Sequence, residues 1–253
     1  MAKLNIALQL YTVRDLTKAD FAGTLRDVAA VGYTGVELAG FGNLATAAEV
    51  RKALDDAGLK AVGAHVGLGQ LETDLPKAIA DAKTIGYELV VCPFLPDDLR
   101  TTAGYTKIAA LLNDVAVKLK AEGLKLAYHN HAFEFETLPE GGNGMDVLFG
   151  KSSADVRSEL DLYWVARGGE DPVAYVKKLS DRLAIVHLKD MDKTDPGKFA
   201  PVGTGRLDFA AMSDAVAAAG VTWGVVEQDH CYDMAPMDSI KLSFANLKKL
   251  GIA

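Results

Sequence analysis

The side chains best suited to chemistry in this sequence are its five histidines and the carboxylates near them. His65, His129, His131 and His187 each close a short apolar run, and His230 follows Glu227 by three residues. Glu37, Asp161 and Glu227 end further runs of the same kind. A single histidine at such a place is usually a hydrogen-bonded structural residue. Imidazoles and carboxylates gathered and buried at one rim are different, because without a cation they repel or stay unpaired. Imidazole nitrogen with carboxylate oxygen is a common donor set for Mn²⁺, Zn²⁺, Co²⁺ or Fe²⁺, and the lack of thiolates speaks against a structural zinc site.

Whether these groups meet depends on the elements that carry them. One local pattern recurs: a helical stretch ends at glycine and a short apolar strand follows. It occurs at Gly32, Gly58, Gly86, Gly123 and Gly220, and glycine relieves the left-handed backbone at a helix end. Repeated helix-to-strand joints mean alternating α and β elements and a parallel sheet. Eight strands are expected, near Leu4–Leu10, Val36–Leu38, Lys60–His65, Leu89–Pro93, Lys125–His131, Val156–Asp161, Leu183–Leu188 and Trp223–Glu227. Helices fit the gaps, among them Asp20–Val31, Ala45–Ala57, Leu75–Ile85, Thr106–Ala121, Pro172–Leu179, Phe209–Ala219 and Ser239–Leu250, with Thr17-x-x-Asp20 as a helix-starting cap. Eight units in 253 residues give about 32 each, the size of a βα repeat. The expectation is an α/β protein, a single (β/α)8 TIM barrel spanning residues 1–253. An open doubly wound sheet is second, since no strand-linked GxGxxG is present. In a barrel the chemistry lies at the carboxyl ends of the strands, where these polar residues fall.

Composition narrows the partners. The net charge is -7, with no basic cluster to neutralise phosphates, which argues against nucleic acid. No apolar stretch of about 18 residues suggests a membrane span, and the N-terminus lacks the features of a secretory signal. Cys92 and Cys231 form no CxxC pair, which fits a reducing, cytoplasmic setting, and Cys92 within Leu89-Val90-Val91-Cys92 reads as a buried small hydrophobe. Exposed barrel helices would allow a homo-oligomer, a dimer or tetramer, but nothing specifies one.

Several runs resemble the xylose isomerase-like barrel superfamily, and within it the sugar phosphate isomerase/epimerase branch. They are Leu8-Gln9-Leu10-Tyr11-Thr12-Val13-Arg14-Asp15, Tyr128-His129-Asn130-His131-Ala132-Phe133-Glu134-Phe135, Glu159-Leu160-Asp161-Leu162-Tyr163-Trp164, His187-Leu188-Lys189-Asp190 and Val226-Glu227-Gln228-Asp229. The resemblance implies one divalent metal ion (Mn, Zn, Co, Fe or Mg) held by residues of strands five to eight in the order Glu, Asp, His, Glu. Asp161, His187 and Glu227 carry over directly. At strand five the chain departs, with His129 where relatives place glutamate, so His129 is the expected ligand and His131 touches substrate or is second choice.

That departure bears on mechanism. Relatives that epimerise ketoses use both glutamates as proton carriers on opposite faces of a substrate whose carbonyl is polarised by the metal, so that an enediolate forms. Here Glu227 remains the base, and Glu134, His131 or Lys189 would have to serve the second face. A single base suffices for elimination, which makes a lyase or dehydratase acting on a keto-inositol or keto-sugar the alternative. Glu37, His65 and Gln9 are candidates to bond the hydroxyls of a small carbohydrate or cyclitol. Lys189 would steady an enediolate oxygen. Arg206, after the glycine loop Pro201-Val202-Gly203-Thr204-Gly205, would join its amides in binding phosphate, and Trp164 and Phe133 would close the pocket. A metal-dependent nuclease and a non-catalytic sugar-binding subunit are the readings from other classes.

Overall fold

In the computed structural model, which describes residues 3–253, eight short parallel strands close on themselves. They are β1 (Asn5–Gln9), β2 (Gly35–Leu38), β3 (Lys60–His65), β4 (Leu89–Cys92), β5 (Lys125–His129), β6 (Val156–Asp161), β7 (Leu183–Leu188) and β8 (Trp223–Val226). Each pairs with its sequence neighbours, and β1 pairs with both β2 and β8, which shuts the barrel. Helices follow the strands and cover the outside, so the fold is the (β/α)8 TIM barrel.

Two cores result from the strand period of two. Residues facing outward, such as Leu8, Val36, Leu126 and Leu160, join helix residues in one large apolar layer. Facing inward, Ala7, Leu89, Val91, Ala127, Ile185 and Val225 form a separate apolar plug. Adding two to a plug position reaches the next inward residue of that strand. Ala7 leads to Gln9, Ala127 to His129, Ile185 to His187 and Val225 to Glu227. The floor of the barrel is therefore apolar and its ceiling polar.

Local signals explain most boundaries, and a few differ from expectation. Gly58 and Gly86 end their helices in the left-handed region, at φ 68° and 89°. Asp20 itself caps helix Phe21–Val31 by accepting from the Gly23 amide, whereas Thr17 lies inside the short helix Arg14–Ala19 and bonds back to the Arg14 carbonyl. The helix expected from Thr106 starts at Thr102 with Thr101 as its cap. The strand expected to run to His131 stops at His129, because the Asn130 amide takes over the pairing. Its oxygen accepts from the Asp161 amide at 2.9 Å and its nitrogen donates to the Asp161 carbonyl at 3.3 Å. The loop after β7 contains an unanticipated antiparallel ribbon, Asp190–Met191 against Phe199–Ala200. Both cysteines are free, and Cys92 is fully buried. Among the described residues no helix is long and apolar enough to cross a membrane.

Candidate functional site

The polar ceiling converges. Single donor atoms of His129, Asp161, His187 and Glu227 all lie within 4.8 Å of one another, and all four residues are buried. His129 and Asp161 stand at the ends of β5 and β6, His187 one residue before the end of β7, and Glu227 one residue beyond β8. Asp161 is aimed by a cap: Oδ1 accepts from the Trp164 amide at the start of helix Leu162–Arg167, which leaves Oδ2 facing inward. That Oδ2 is buried, with the Lys189 ammonium 3.2 Å away as an ion pair and no well-aligned hydrogen bond. It lies 3.8 Å from His187 Nδ1 and 4.0 Å from His129 Nε2. With metal bonds of about 2.0–2.2 Å, neighbouring donors of a tetrahedral shell sit about 3.3–3.6 Å apart. Two imidazole nitrogens and two carboxylate oxygens at these separations fit a divalent cation after small side-chain shifts. The His187 Nδ1 to Glu227 Oε2 contact, 2.9 Å, has to open.

Beneath this set lies a second tier centred on Glu159, a residue the sequence reading left out of the site. One oxygen of Glu159, Oε1, is 2.8 Å from His65 Nε2, 3.0 Å from His129 Nδ1 and 3.0 Å from His187 Nε2. Both candidate ligand histidines thus have their far nitrogen on one carboxylate, the arrangement that fixes tautomer and ring direction in metal sites. His187 Nε2 also meets Glu37 Oε2 at 2.7 Å, and Gln9 donates to the same oxygen at 2.8 Å. Gln9 and Glu37 have no exposed surface. They underpin His187 through Glu37 Oε2, while Glu37 Oε1 is buried and accepts no hydrogen bond. His65, 14% exposed, stays at the edge of the cavity. Spacing alone pointed to Glu159, since it precedes Asp161 by two on one strand.

Charge shapes every member. Lys189 Nζ is 3.2 Å from Asp161 Oδ2, 2.8 Å from Glu227 Oε2 and 3.0 Å from Asp229 Oδ2, an ammonium in a cage of three carboxylates. Burial works against its charge, yet these carboxylates hold it well above the usual lysine range. Burial would raise Glu227, but Lys189 and His187 keep it well below the carboxylate range and ionised. Glu159 is likewise held low against burial by His187 and His65. Burial, reinforced by Glu159, pushes Glu37 up to about 7. Burial lifts Asp161 to about 6 despite Lys189 and His187. Burial also keeps His129 neutral, down at about 3. His187, opposed by burial, is held well above the imidazole range by Glu159 and Glu37.

Two expected residues fall elsewhere. Glu134 is fully buried and turned out of the barrel interior, where Oε1 accepts from the Tyr128 hydroxyl at 2.6 Å and Oε2 from the His131 amide at 2.8 Å. Tyr128 alternates with His129 and faces the helix layer, so Glu134 braces the loop and is not placed for proton transfer. Arg206 is exposed and makes no side-chain hydrogen bond or ion pair among the described residues. The amides of Gly203, Gly205 and Leu207, expected to cradle phosphate with it, all donate to the Asp190 carboxylate at 2.8–3.1 Å. His230 is exposed on the rim. His131 lies above the cluster with Nδ1 buried and unpartnered, and burial keeps it neutral, at about 2.

Known proteins share this architecture. A sugar phosphate isomerase/epimerase from Parabacteroides distasonis is 25% identical, with 97% of this chain and 98% of that one covered and a TM-score of 0.84. The IOLI protein, solved with a binding zinc atom, is 14% identical over 98% of both chains, with a TM-score of 0.75. A probable 3-DHS dehydratase, AsbF from Bacillus anthracis, is 13% identical over 97% of this chain and 99% of its own, with a TM-score of 0.75. Among curated proteins none matches. Residues 25–250 match the family description, and the chain belongs to the xylose isomerase-like TIM barrel family.

Proposed function

We propose that this protein is a divalent-metal-dependent isomerase or epimerase of a sugar or keto-sugar, working by proton transfer beside a carbonyl. The observation that carries the reading is the buried set His129, Asp161, His187 and Glu227, whose donor atoms lie within 4.8 Å of one another. These four residues would hold the ion, which when bound supplies a Lewis acid to polarise a carbonyl. Glu227, kept ionised by Lys189 and His187, takes the proton beside that carbonyl. Lys189 follows His187 by two and reaches the same carboxylates, so its ammonium stands ready for an oxygen that gains negative charge. Of the remaining candidates for the second face, the Lys189 ammonium carries a proton to give, whereas burial keeps His131 neutral and limits it to hydrogen bonding the substrate. The buried ceiling keeps bulk water from the carbanionic stage.

A second reading draws on one specific observation. With Glu134 bonded to Tyr128 and His129 in the strand-five place, Glu227 is the one glutamate among the four candidate ligands. One base is enough for proton abstraction followed by loss of a β-substituent, so a lyase acting on a keto-inositol or keto-sugar derivative is the alternative. Proton NMR of metal-reconstituted enzyme in D₂O, with ketoses, keto-inositols and 3-keto-sugars, separates the two. Deuterium beside the carbonyl with a stereoisomer or positional isomer as product supports the first reading. A vinylic or enone product replaces it with the second. No exchange on the panel, with His129→Ala matching the parent in metal content, would refute both.

A further inference from the structure

Glu159 touches a third imidazole besides those of the two candidate ligands. Its Oε1 lies 2.8 Å from His65 Nε2, and Glu37 Oε2 lies 3.4 Å from the same nitrogen. To bind an ion through Nε2 and Nδ1, His129 and His187 must carry their protons on the nitrogens that meet Glu159, each at 3.0 Å. One carboxylate oxygen can accept from all three rings, so His65 also donates and its Nε2 carries the proton. The lone pair of neutral His65 then belongs to Nδ1. That nitrogen makes no hydrogen bond among the described residues and, unlike Nδ1 of His131, is not sealed from solvent. The 14% of the His65 side chain that stays exposed lies at the cavity edge. A histidine held by a carboxylate on one nitrogen and open on the other is arranged as a general acid and base.

Position decides which side of a substrate such a group can reach. In the closed order of strands, β3 is three removed from β8, which leads to Glu227, and four removed from β7, which leads to Lys189. Lys189 has a proton to give, yet its Nζ is 2.8 Å from Glu227 Oε2, so that proton arrives from the Glu227 side. The His131 ring makes no hydrogen bond or ion pair among the described residues, so nothing fixes its tautomer. His65 combines an oriented, open nitrogen with a place across the barrel from Glu227.

We propose that His65, oriented by Glu159, is the proton carrier on the substrate face opposite Glu227. This deepens the proposed function and rests on it for placing the reacting carbonyl beside Glu227. Glu227 takes the proton from the carbon next to the carbonyl, and the C–H electron pair moves into the enediolate. Nδ1–H of the His65 imidazolium then gives its proton to the same carbon from the other face, where the enediolate pair forms the new C–H bond. The carbon has lost one proton and gained one, and its configuration is inverted. The reverse reaction exchanges the two roles, and solvent resets both groups. Glu159 thereby serves two tasks, aiming the candidate metal ligands and the acid with one carboxylate.

The test follows the metal-loaded protein in D₂O with D-fructose, D-tagatose, L-ribulose and 3-keto-D-glucose. In His65→Gln the amide can still donate to Glu159 but cannot carry a proton. Product stereoisomer should form at least about 100-fold more slowly than with the parent, while deuterium still enters the starting sugar within about tenfold of the parental rate. Metal content should stay parental, and imidazole added to His65→Ala should restore part of the lost product formation. Zinc-loaded protein labelled with ¹⁵N-histidine gives a readout apart from turnover. At about pH 9 the His65 signals, assigned by their loss in His65→Gln, should report a proton on Nε2 and none on Nδ1. Product formation within a few-fold of the parent, or exchange and product formation lost in equal proportion, overturns the inference and leaves the isomerase reading standing. A bare Nε2 does the same, as does a metal loss in His65→Gln that excess ion fails to restore. A parent that yields no isomer from any of the four sugars sinks the isomerase reading and this inference with it.

Discussion

The exchange Glu159→Gln removes one negative charge from the point where three imidazoles meet, at 2.8, 3.0 and 3.0 Å from Oε1. Its volume and its hydrogen-bonding reach are kept, so packing around the site is little disturbed. Lost are the charge that orients His129 and His187 and the basicity it lends to their inward nitrogens. Removing one such supporting partner typically weakens a metal by about 10–100-fold. Glu159 serves two candidate ligands at once, which places this variant toward the upper end, an affinity loss of about 2.7 kcal/mol. At saturating metal the protection against heat shrinks by the same amount. Chelator competition followed by absorbance measures the affinity, and calorimetry with metal and with EDTA measures the protection. Equal metal affinity in parent and variant would refute the argument. So would a loss of stability that is the same in EDTA as in metal, since Glu159 would then be packing alone.

Metal affinity should rise with pH, by up to about tenfold per unit between pH 6 and 8, because the metal-free protein holds a proton on His187 and burial lifts Asp161 to about 6; calorimetric titration in buffers of different ionisation heat would detect that proton release, and a flat profile would exclude it. Glu134→Gln should retain exchange activity within a few-fold, and urea titrations should show a distinct pH signature. The folded carboxyl sits at about 7 against 4.5 unperturbed, so its contribution is present below pH 4.5 and fades as pH rises through 7. The parent's advantage over the variant should therefore shrink from pH 5 to 8, and a constant difference would count against this placement. Lys189→Met leaves Asp161, Glu227 and Asp229 facing each other and should cost about 3–5 kcal/mol in EDTA, partly recovered on adding a divalent ion; thermal unfolding in both conditions decides it. In Gly144→Ala the new Cβ would lie 2.1 Å from the Tyr105 ring, which should lower stability by about 1–3 kcal/mol, with no change in metal affinity by chelator competition.

Strand parity separates what could be read from the sequence from what could not. On β5 and β7, Ala127 and Ile185 point inward as floor, and two residues later His129 and His187 point inward as ceiling. The glycine-ended helices gave the βα order, and the order with parity was enough to bring four donors to one rim. Glu159 obeys the same rule, being two residues before Asp161, so the parity that brings Asp161 inward brings Glu159 inward beneath it. Loops obey no such rule. Glu134 lies five residues beyond His129 on a turn, and its direction is set by a tyrosine hydroxyl and a backbone amide that spacing cannot place. The glycine loop before Arg206 suggested free amides, yet Asp190 alternates away from Lys189 and gathers those amides to itself. The same carboxylate that removes a phosphate cradle also pins the loop to the β7 ribbon. What looked in the sequence like a binding motif is therefore a fastening, its three amides held by one buried carboxylate.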